Sequence, residues 1–163
     1  MVRLNRDNRG LTLIELVVTM VILSVLAAMV VPSVRLTAKR THEIELRQEL
    51  RQIRTAIDDY KKSYDQAVAS GKIAASLDKS GYPETLQVLV DGYDFGGLYN
   101  YKKKFLRRIP MDPFHQVTGD EPRWGMRSYN DEPDSTSWGG EDVFDVYSLS
   151  DGTAINGTKY KDW

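Results

Sequence analysis

The chain's 163 residues allow one modest globular domain with an appendage, but not two full domains. The 22 Lys and Arg residues nearly balance the 23 Asp and Glu residues, so the formal net charge of −1 gives no reason to expect a nucleic-acid partner. The absence of cysteine excludes a disulfide, a thiolate metal site and a cysteine nucleophile. The sequence has no nucleophile elbow, P-loop, dinucleotide fingerprint or paired-histidine zinc motif, so it predicts no enzyme.

The segment from Leu11 to Val31 is apolar except at four positions. As a helix it spans about 31 Å, close to the thickness of a bilayer's hydrocarbon core. Arg3, Arg6 and Arg9 precede it, and the positive-inside rule then favours a cytoplasmic N-terminus. These features predict a single-pass transmembrane helix.

Glu15 lies near the start of this segment, where a lone buried carboxylate is costly. In a simple signal anchor, Glu15 would snorkel to the membrane edge; a cleaved secretory signal fits poorly, because the apolar run is too long. Cleavage of the chain between Gly10 and Leu11 would explain the whole junction, including the presence of Glu15. It would remove the arginine-rich leader and create an α-amine one helical turn from Glu15, and the two charges would attract strongly at low dielectric, within one chain or between chains.

The junction Arg9-Gly10-Leu11-Thr12-Leu13-Ile14-Glu15, followed by apolar residues and then Pro32, resembles the type IV pilin family. The resemblance implies that a prepilin peptidase cuts after Gly10 and methylates the amine of Leu11. It implies that Glu15 guides docking of subunits into a helical filament. It also implies that Pro32 accompanies a helix segment that can melt when subunits pack.

Beyond Pro32 the helical pattern continues to about Tyr64. Its apolar stripe is Leu46, Leu50, Ile53, Ile57, Tyr60 and Tyr64. The repeat lasts under three heptads, which favours packing onto the chain's own head over a coiled coil. Pro32 itself lacks the N–H for a helical hydrogen bond and is predicted to kink or loosen the helix.

The remaining sequence predicts a small head with few regular elements. A loop covers residues 70–82, and a short helix is predicted from Pro83 to a stop at Gly92. The basic segment from Lys102 to Arg108 is predicted to be a solvated loop, because no aromatic stacking pattern interleaves its charges; contact with anionic partners such as DNA or lipid head groups is the alternative. Short strands are predicted at Trp124 to Tyr129 and at Val143 to Leu149.

Three stretches of the head resemble the major pseudopilins of type II secretion systems: Arg108-Ile109-Pro110-Met111-Asp112-Pro113, Asp145-Val146-Tyr147-Ser148-Leu149-Ser150-Asp151-Gly152, and Asp162-Trp163. The resemblance implies calcium in the C-terminal loop, with Asp151, Asp162 and carbonyls near Ser148 as the transferable ligands. Oxygen ligands of this kind suit calcium. A lysine in the region of residues 158–161 could instead replace the ion's charge, and a simple turn at Asp151-Gly152 is the third possibility.

These resemblances together imply an α+β pilin fold in which a long N-terminal helix packs on a head with short antiparallel strands. Residues 1–10 would be a leader, 11–31 a transmembrane and filament-core half-helix, and 32–163 a periplasmic head. The expected function is that of a structural subunit in a type II secretion pseudopilus, a helical homopolymer that drives protein export.

The expected partners are the prepilin peptidase, minor pseudopilins and an inner-membrane assembly platform. The subunit would sit in the cytoplasmic membrane and be extracted into a periplasmic fibre on assembly. A type IV pilus subunit used for adhesion, motility or DNA uptake is the near alternative. A membrane-tethered binding domain is the distant one.

Overall fold

The computed structural model describes residues 10–74, 76, 79–115 and 124–163, and for residues 29–34 it describes the backbone without the side chains. The chain divides into two compact units, Met1–Arg40 and Thr41–Trp163. The elements in chain order are α1 (Leu13–Ala69), α2 (Leu86–Asp91), β1 (Gly125–Arg127), β2 (Asp145–Tyr147) and a terminal 3-10 turn (Tyr160–Asp162). A long N-terminal helix and a small head with two antiparallel strands confirm the predicted α+β pilin fold.

In the first unit, the side chains of residues 11–28 are all exposed. Two hydroxyl side chains within this apolar segment bond to backbone carbonyls of the helix itself. Thr19 Oγ1 donates to the carbonyl of Leu16 at 2.9 Å, and Ser24 Oγ donates to the carbonyl of Met20 at 2.8 Å. Hydroxyls bonded in this way can enter an apolar environment without losing a hydrogen bond.

In the part of the chain that the structure describes, no helix combines the length and the apolar character that crossing a membrane requires. The predicted span from Leu11 to Val31 extends into residues 29–31, whose side chains lie outside the description.

α1 is helical through Pro32 and ends at Ala69, five residues beyond the predicted end. The side chain of Pro32 lies outside the described residues, so its loosening effect stays a prediction. At the C-terminal end, the N–H of Lys72 donates to the carbonyl of Ala67 at 2.9 Å, and Gly71 has a φ of 66°. Such a reversal after the last turn is a common helix stop, and glycine is favoured there because it adopts positive φ without strain.

One stripe of α1 forms the core of the second unit. Its residues Leu46, Leu50, Ile53, Ile57, Tyr60 and Tyr64 are buried, as the spacing predicts, and Ala67 extends the stripe by one more turn. The other side of the core comes from the head and includes Leu89, Phe95, Val143 and Val146, each fully buried. The stripe therefore packs on the chain's own head.

α2 begins later than predicted, at Leu86 rather than Pro83, and ends as predicted before Gly92. Pro83 is buried, and its carbonyl accepts the N–H of Val143 at 2.8 Å. This hydrogen bond links the segment just before α2 to the segment just before β2. The helix starts only after Thr85, which has an extended backbone.

The two strands are three residues each and lie inside the two predicted segments. They pair antiparallel, with Gly125 opposite Tyr147, Met126 opposite Val146 and Arg127 opposite Asp145. Position 125 requires glycine, because the Cβ of any other residue would lie 2.2 Å from the ring of Tyr147.

A guanidinium links α1 to this sheet. Arg54 Nε donates to Asp145 Oδ1 at 2.7 Å, and its Nη2 donates to the carbonyls of Val146 at 2.9 Å and Trp163 at 3.0 Å. Arg127 Nη1 donates to the second oxygen of Asp145 at 3.2 Å. Helix, strand and terminal turn are thereby held in one register.

The burial pattern of α1 yields a matched pair of variants. Ile57→Ala should lower the free energy of unfolding by about 2–5 kcal/mol, because it opens a cavity at a fully buried site. Ile44→Ala removes the same atoms from a side chain on the same helix that is 65% exposed. This substitution should change the free energy of unfolding by no more than about 0.5 kcal/mol. Thermal unfolding of the detergent-solubilised protein, followed by circular dichroism, measures both. Equal effects of the two substitutions would contradict this assignment of the core face.

Candidate functional site

Thr12 and Glu15 are the first two polar residues after the predicted cleavage site, and they lie at the start of α1. Thr12 precedes the first helical residue, and its Oγ1 accepts the backbone N–H of Glu15 at 3.3 Å. Its carbonyl accepts the N–H of Leu16 at 3.1 Å. A Thr at the N-cap and a Glu three residues later have the residue pattern of a capping box. The motif Thr-x-x-Glu is visible in the sequence and is the signal that could have predicted this role of Thr12.

The carboxylate of Glu15 is exposed, and within the described residues its oxygens have no hydrogen-bond or ion-pair partner. Its position in the first turn is favourable, because the partial positive charge of a helix N-terminus attracts an anion. Glu15 therefore has a role within the single chain that uses only its backbone and leaves its carboxylate available.

The predicted cleavage site is open. Gly10 lies outside regular structure, two residues before the cap Thr12, and Leu11 is 72% exposed. A Cβ built at Gly10 would meet no atom of the described residues within 4 Å. Nothing in the described fold therefore requires glycine at this position. The rest of the predicted leader, residues 1–9, lies outside the described residues.

In the head, the predicted calcium residues do not form a cluster of carboxylates. Ser148 is fully buried, and its Oγ donates to Asp112 Oδ2 at 2.5 Å, while Asp151 and Asp162 are exposed. Among the described residues, no group of three or more histidine or acidic side chains is placed to hold a metal ion. The donors at this loop thus offer a divalent cation fewer anionic ligands than it usually takes. Calcium binding stays a prediction.

Asp112 was noted in the sequence only as part of a motif, and the structure gives it a definite role. It is 2% exposed, and its other oxygen, Oδ1, accepts the backbone N–H of Phe114 at 2.8 Å. The Oγ of Ser148 in turn accepts the N–H of Ser150 at 3.1 Å. The pair Asp112–Ser148 therefore fastens the Asp-Pro turn to the start of the C-terminal loop.

The C-terminal loop is docked on α1 through Glu43. Its Oε1 accepts the hydroxyl of Tyr160 at 3.0 Å and the backbone N–H of Ile155 at 2.8 Å. The ring of Tyr160 stacks on Phe114 with centroids 4.0 Å apart, and Arg47 lies 4.2 Å from the ring centroid of Trp163. Burial, and then the bond to the Glu43 carboxylate, raises the pKa of Tyr160 to about 12.

The basic segment from Lys102 to Arg108 is exposed at its charged residues except Lys103. Lys103 Nζ donates to Ser63 Oγ at 3.0 Å and to Tyr99 Oη at 3.3 Å, and it lies 4.7 Å from the ring centroid of Tyr99. The predicted solvated loop thus contains one lysine that fixes the segment to α1.

Comparison with known proteins identifies the family. A model described as the prokaryotic N-terminal methylation motif matches residues 5–31. The chain is 31% identical over 150 residues to type II secretion system core protein G of Pseudomonas aeruginosa, covering 88% of this chain and 84% of that protein. It is 32% identical over 119 residues to the Klebsiella pneumoniae protein of the same name, covering 66% and 69%. The chain belongs to the type II secretion system core protein G family.

This membership confirms the resemblance seen in the sequence and favours it over a type IV pilus subunit. The core protein G of Escherichia coli K12 is 30% identical over 117 residues, covering 69% of this chain and 70% of that protein. No solved structure matches the chain significantly. The match to the methylation motif includes Gly10, Leu11 and Glu15. The motif therefore covers the start of α1 and the residues just before it.

The docked loop yields a pH prediction. The pKa of Tyr160 is about 12 in the folded protein and about 10 in the unfolded chain, so the folded state retains the phenol proton longer. The stabilisation is present in full below pH ~10 and falls as pH rises from there towards 12. Tyr160→Phe should therefore lower the free energy of unfolding by about 1 kcal/mol near neutral pH. Above pH ~10, the variant should lose stability less steeply than the wild type. Urea unfolding at a series of pH values measures both.

Tyr101→Phe is the control for that experiment, because Tyr101 is 67% exposed and should leave the alkaline profile unchanged. An alkaline profile that is as steep in Tyr160→Phe as in the wild type would contradict the assignment.

Proposed function

We propose that this chain is a structural subunit of a type II secretion pseudopilus, which polymerises into a helical fibre that drives protein export across the outer membrane. Its membership of the core protein G family supports this, as does the match to the methylation motif at residues 5–31. The role is mechanical rather than catalytic. The energy of assembly would come from packing the apolar half-helices together. Partners would drive the work of export, because the sequence contains no nucleotide-binding motif.

The observation that carries the proposal is the exposed apolar surface of the first unit. Large apolar side chains from Leu11 to Leu26 are between 46% and 82% exposed. A continuous apolar surface of this kind marks an interaction site, because water does not stabilise it. We assign it two successive environments: lipid before assembly, and the helices of neighbouring subunits in the fibre.

Processing and location follow from the same segment. A prepilin peptidase would cut after Gly10 and methylate the new amine of Leu11. The mature chain would then be anchored in the cytoplasmic membrane by residues 11–31, with its head in the periplasm. Minor pseudopilins and an inner-membrane platform would be its assembly partners, and Pro32 would mark the helix segment that loosens on packing.

Glu15 would set the register of assembly. A carboxylate moved into an apolar fibre core needs a counter-charge, since an unpaired buried charge is strongly destabilising. Within the described residues the carboxylate has no partner of its own. The α-amine created at Leu11 supplies the charge, and each subunit would stop where carboxylate and amine meet.

The open geometry at Gly10 gives the first test. Gly10→Val should leave the described fold unchanged, because a Cβ at this position meets no atom of the described residues within 4 Å. It should nevertheless abolish processing, because the peptidase would need glycine there. Intact mass and N-terminal sequencing of protein purified from its native membranes should show the wild type starting at methylated Leu11 and the variant starting at Met1. A wild-type chain that starts at Met1 in cells with an active peptidase would refute the assembly mechanism.

The second test separates the two roles of Glu15. Glu15→Gln removes the charge and keeps a polar side chain of similar size, whereas Glu15→Ala removes the whole carboxyl group. Both variants keep the backbone N–H that Thr12 accepts. If the charge sets the register, both variants should insert into the membrane but form few or no fibres. Sheared or overproduced fibres, quantified by electron microscopy and immunoblotting against the membrane-inserted subunit, provide the measurement.

Thr12→Ala is the matched control for the capping role, since it removes the acceptor of the Glu15 N–H and keeps the carboxylate. It should cost about 1 kcal/mol of helix stability and leave assembly largely intact. Normal fibres from Glu15→Gln would show that the charge is not needed and would overturn the register mechanism.

A further inference from the structure

Lys159 is an exposed residue of the C-terminal loop whose ammonium contacts two other residues of that loop. Its Nζ donates to Thr153 Oγ1 at 2.9 Å and lies 3.5 Å from the carbonyl oxygen of Asp151. Thr153 and Lys159 also form an isolated antiparallel bridge, so the side-chain contact spans two backbone segments that already face each other. The ammonium therefore contacts oxygen ligands at the point where the loop returns on itself.

The oxygens around this ammonium are of the kind that bind a hard cation: a backbone carbonyl and a hydroxyl. Carboxylates are scarce by comparison, because no group of three or more acidic or histidine side chains is close enough for a metal among the described residues. A lysine carries one positive charge and three donors, which suits a site with few anionic ligands. A divalent cation placed here would also be repelled by the ammonium.

We propose that Lys159 takes the place of a metal ion in this loop, so that the head folds and remains stable without calcium. The ammonium holds Asp151 and Thr153 together, as a bound cation would, and it is supplied by the chain itself. The proposal goes beyond the fibre role, since it concerns how the head is stabilised and would hold for a monomer.

The rest of the loop is held by hydrogen bonds between protein groups. The N–H of Ala154 donates to the carbonyl of Thr158 at 2.8 Å, and Trp163 Nε1 donates to Thr158 Oγ1 at 2.7 Å. Tyr160, buried and bonded to Glu43, anchors the loop to α1. Lys159 lies between these anchors, and its ammonium contacts oxygens at both ends of the stretch from Asp151 to Thr153.

The test is thermal unfolding of the full-length protein in detergent, with either a calcium chelator or excess calcium chloride. The wild-type Tm should be the same in both buffers. Lys159→Met should lower the Tm by about 2–4 °C in both, because a charged donor is lost from the loop. Lys161→Met is the matched control: it removes an exposed lysine two positions away and should leave the Tm unchanged.

Two results would overturn the proposal. One is a wild-type Tm that rises by about 5 °C or more when calcium replaces the chelator, as expected for a metal bound well above its dissociation constant. The other is a Lys159→Met variant whose Tm equals that of Lys161→Met. If Lys159→Met does not accumulate, Lys159→Gln, which keeps a neutral donor, is measured in its place and should show a smaller decrease in Tm.

Discussion

The head of this protein depends on one buried stripe of α1. Each strand has only three residues, and a lone pair of such strands is not stable in water. α2 has six residues and is too short to persist alone. Each of these elements contributes to the core by packing onto the face of α1 that carries Ile53 and Ile57. The helix is therefore the template of the head, and residues on that face control the stability of everything that follows it in the chain.

Apolar packing holds the head on α1 but does not fix the position of the head along the helix. Polar contacts between the head and α1 fix that position. Arg54 bonds to the side chain of Asp145, to the backbone of the same strand and to Trp163. Glu43, three turns earlier, bonds to two points of the C-terminal loop. The two residues anchor the strand and the loop at different heights along one helix, so sliding the head by one turn would break both sets of bonds.

Features set by periodicity or by local chemistry could be predicted from the sequence. Features that depend on contacts between residues far apart in the chain could not. The stripe of α1 follows from its spacing, and the stop at Gly92 follows from its backbone freedom. The start of α2 was misplaced because the carbonyl of Pro83 is engaged by Val143, sixty residues away. The roles of Arg54 and Lys103 were not predicted for the same reason: their partners are far along the chain, and nothing in the local pattern indicates which charges will meet.

Glu15 shows how one residue can satisfy two requirements without conflict. Its backbone N–H is bonded to Thr12 and helps to begin the helix, while its carboxylate has no partner among the described residues. The apolar side chains around it are exposed and have to be covered, and whatever covers them also removes water from the carboxylate. A counter-charge must then arrive together with the covering surface. In the proposed assembly mechanism, a second copy of this chain would bring such a cation, the α-amine created at Leu11, together with its apolar surface.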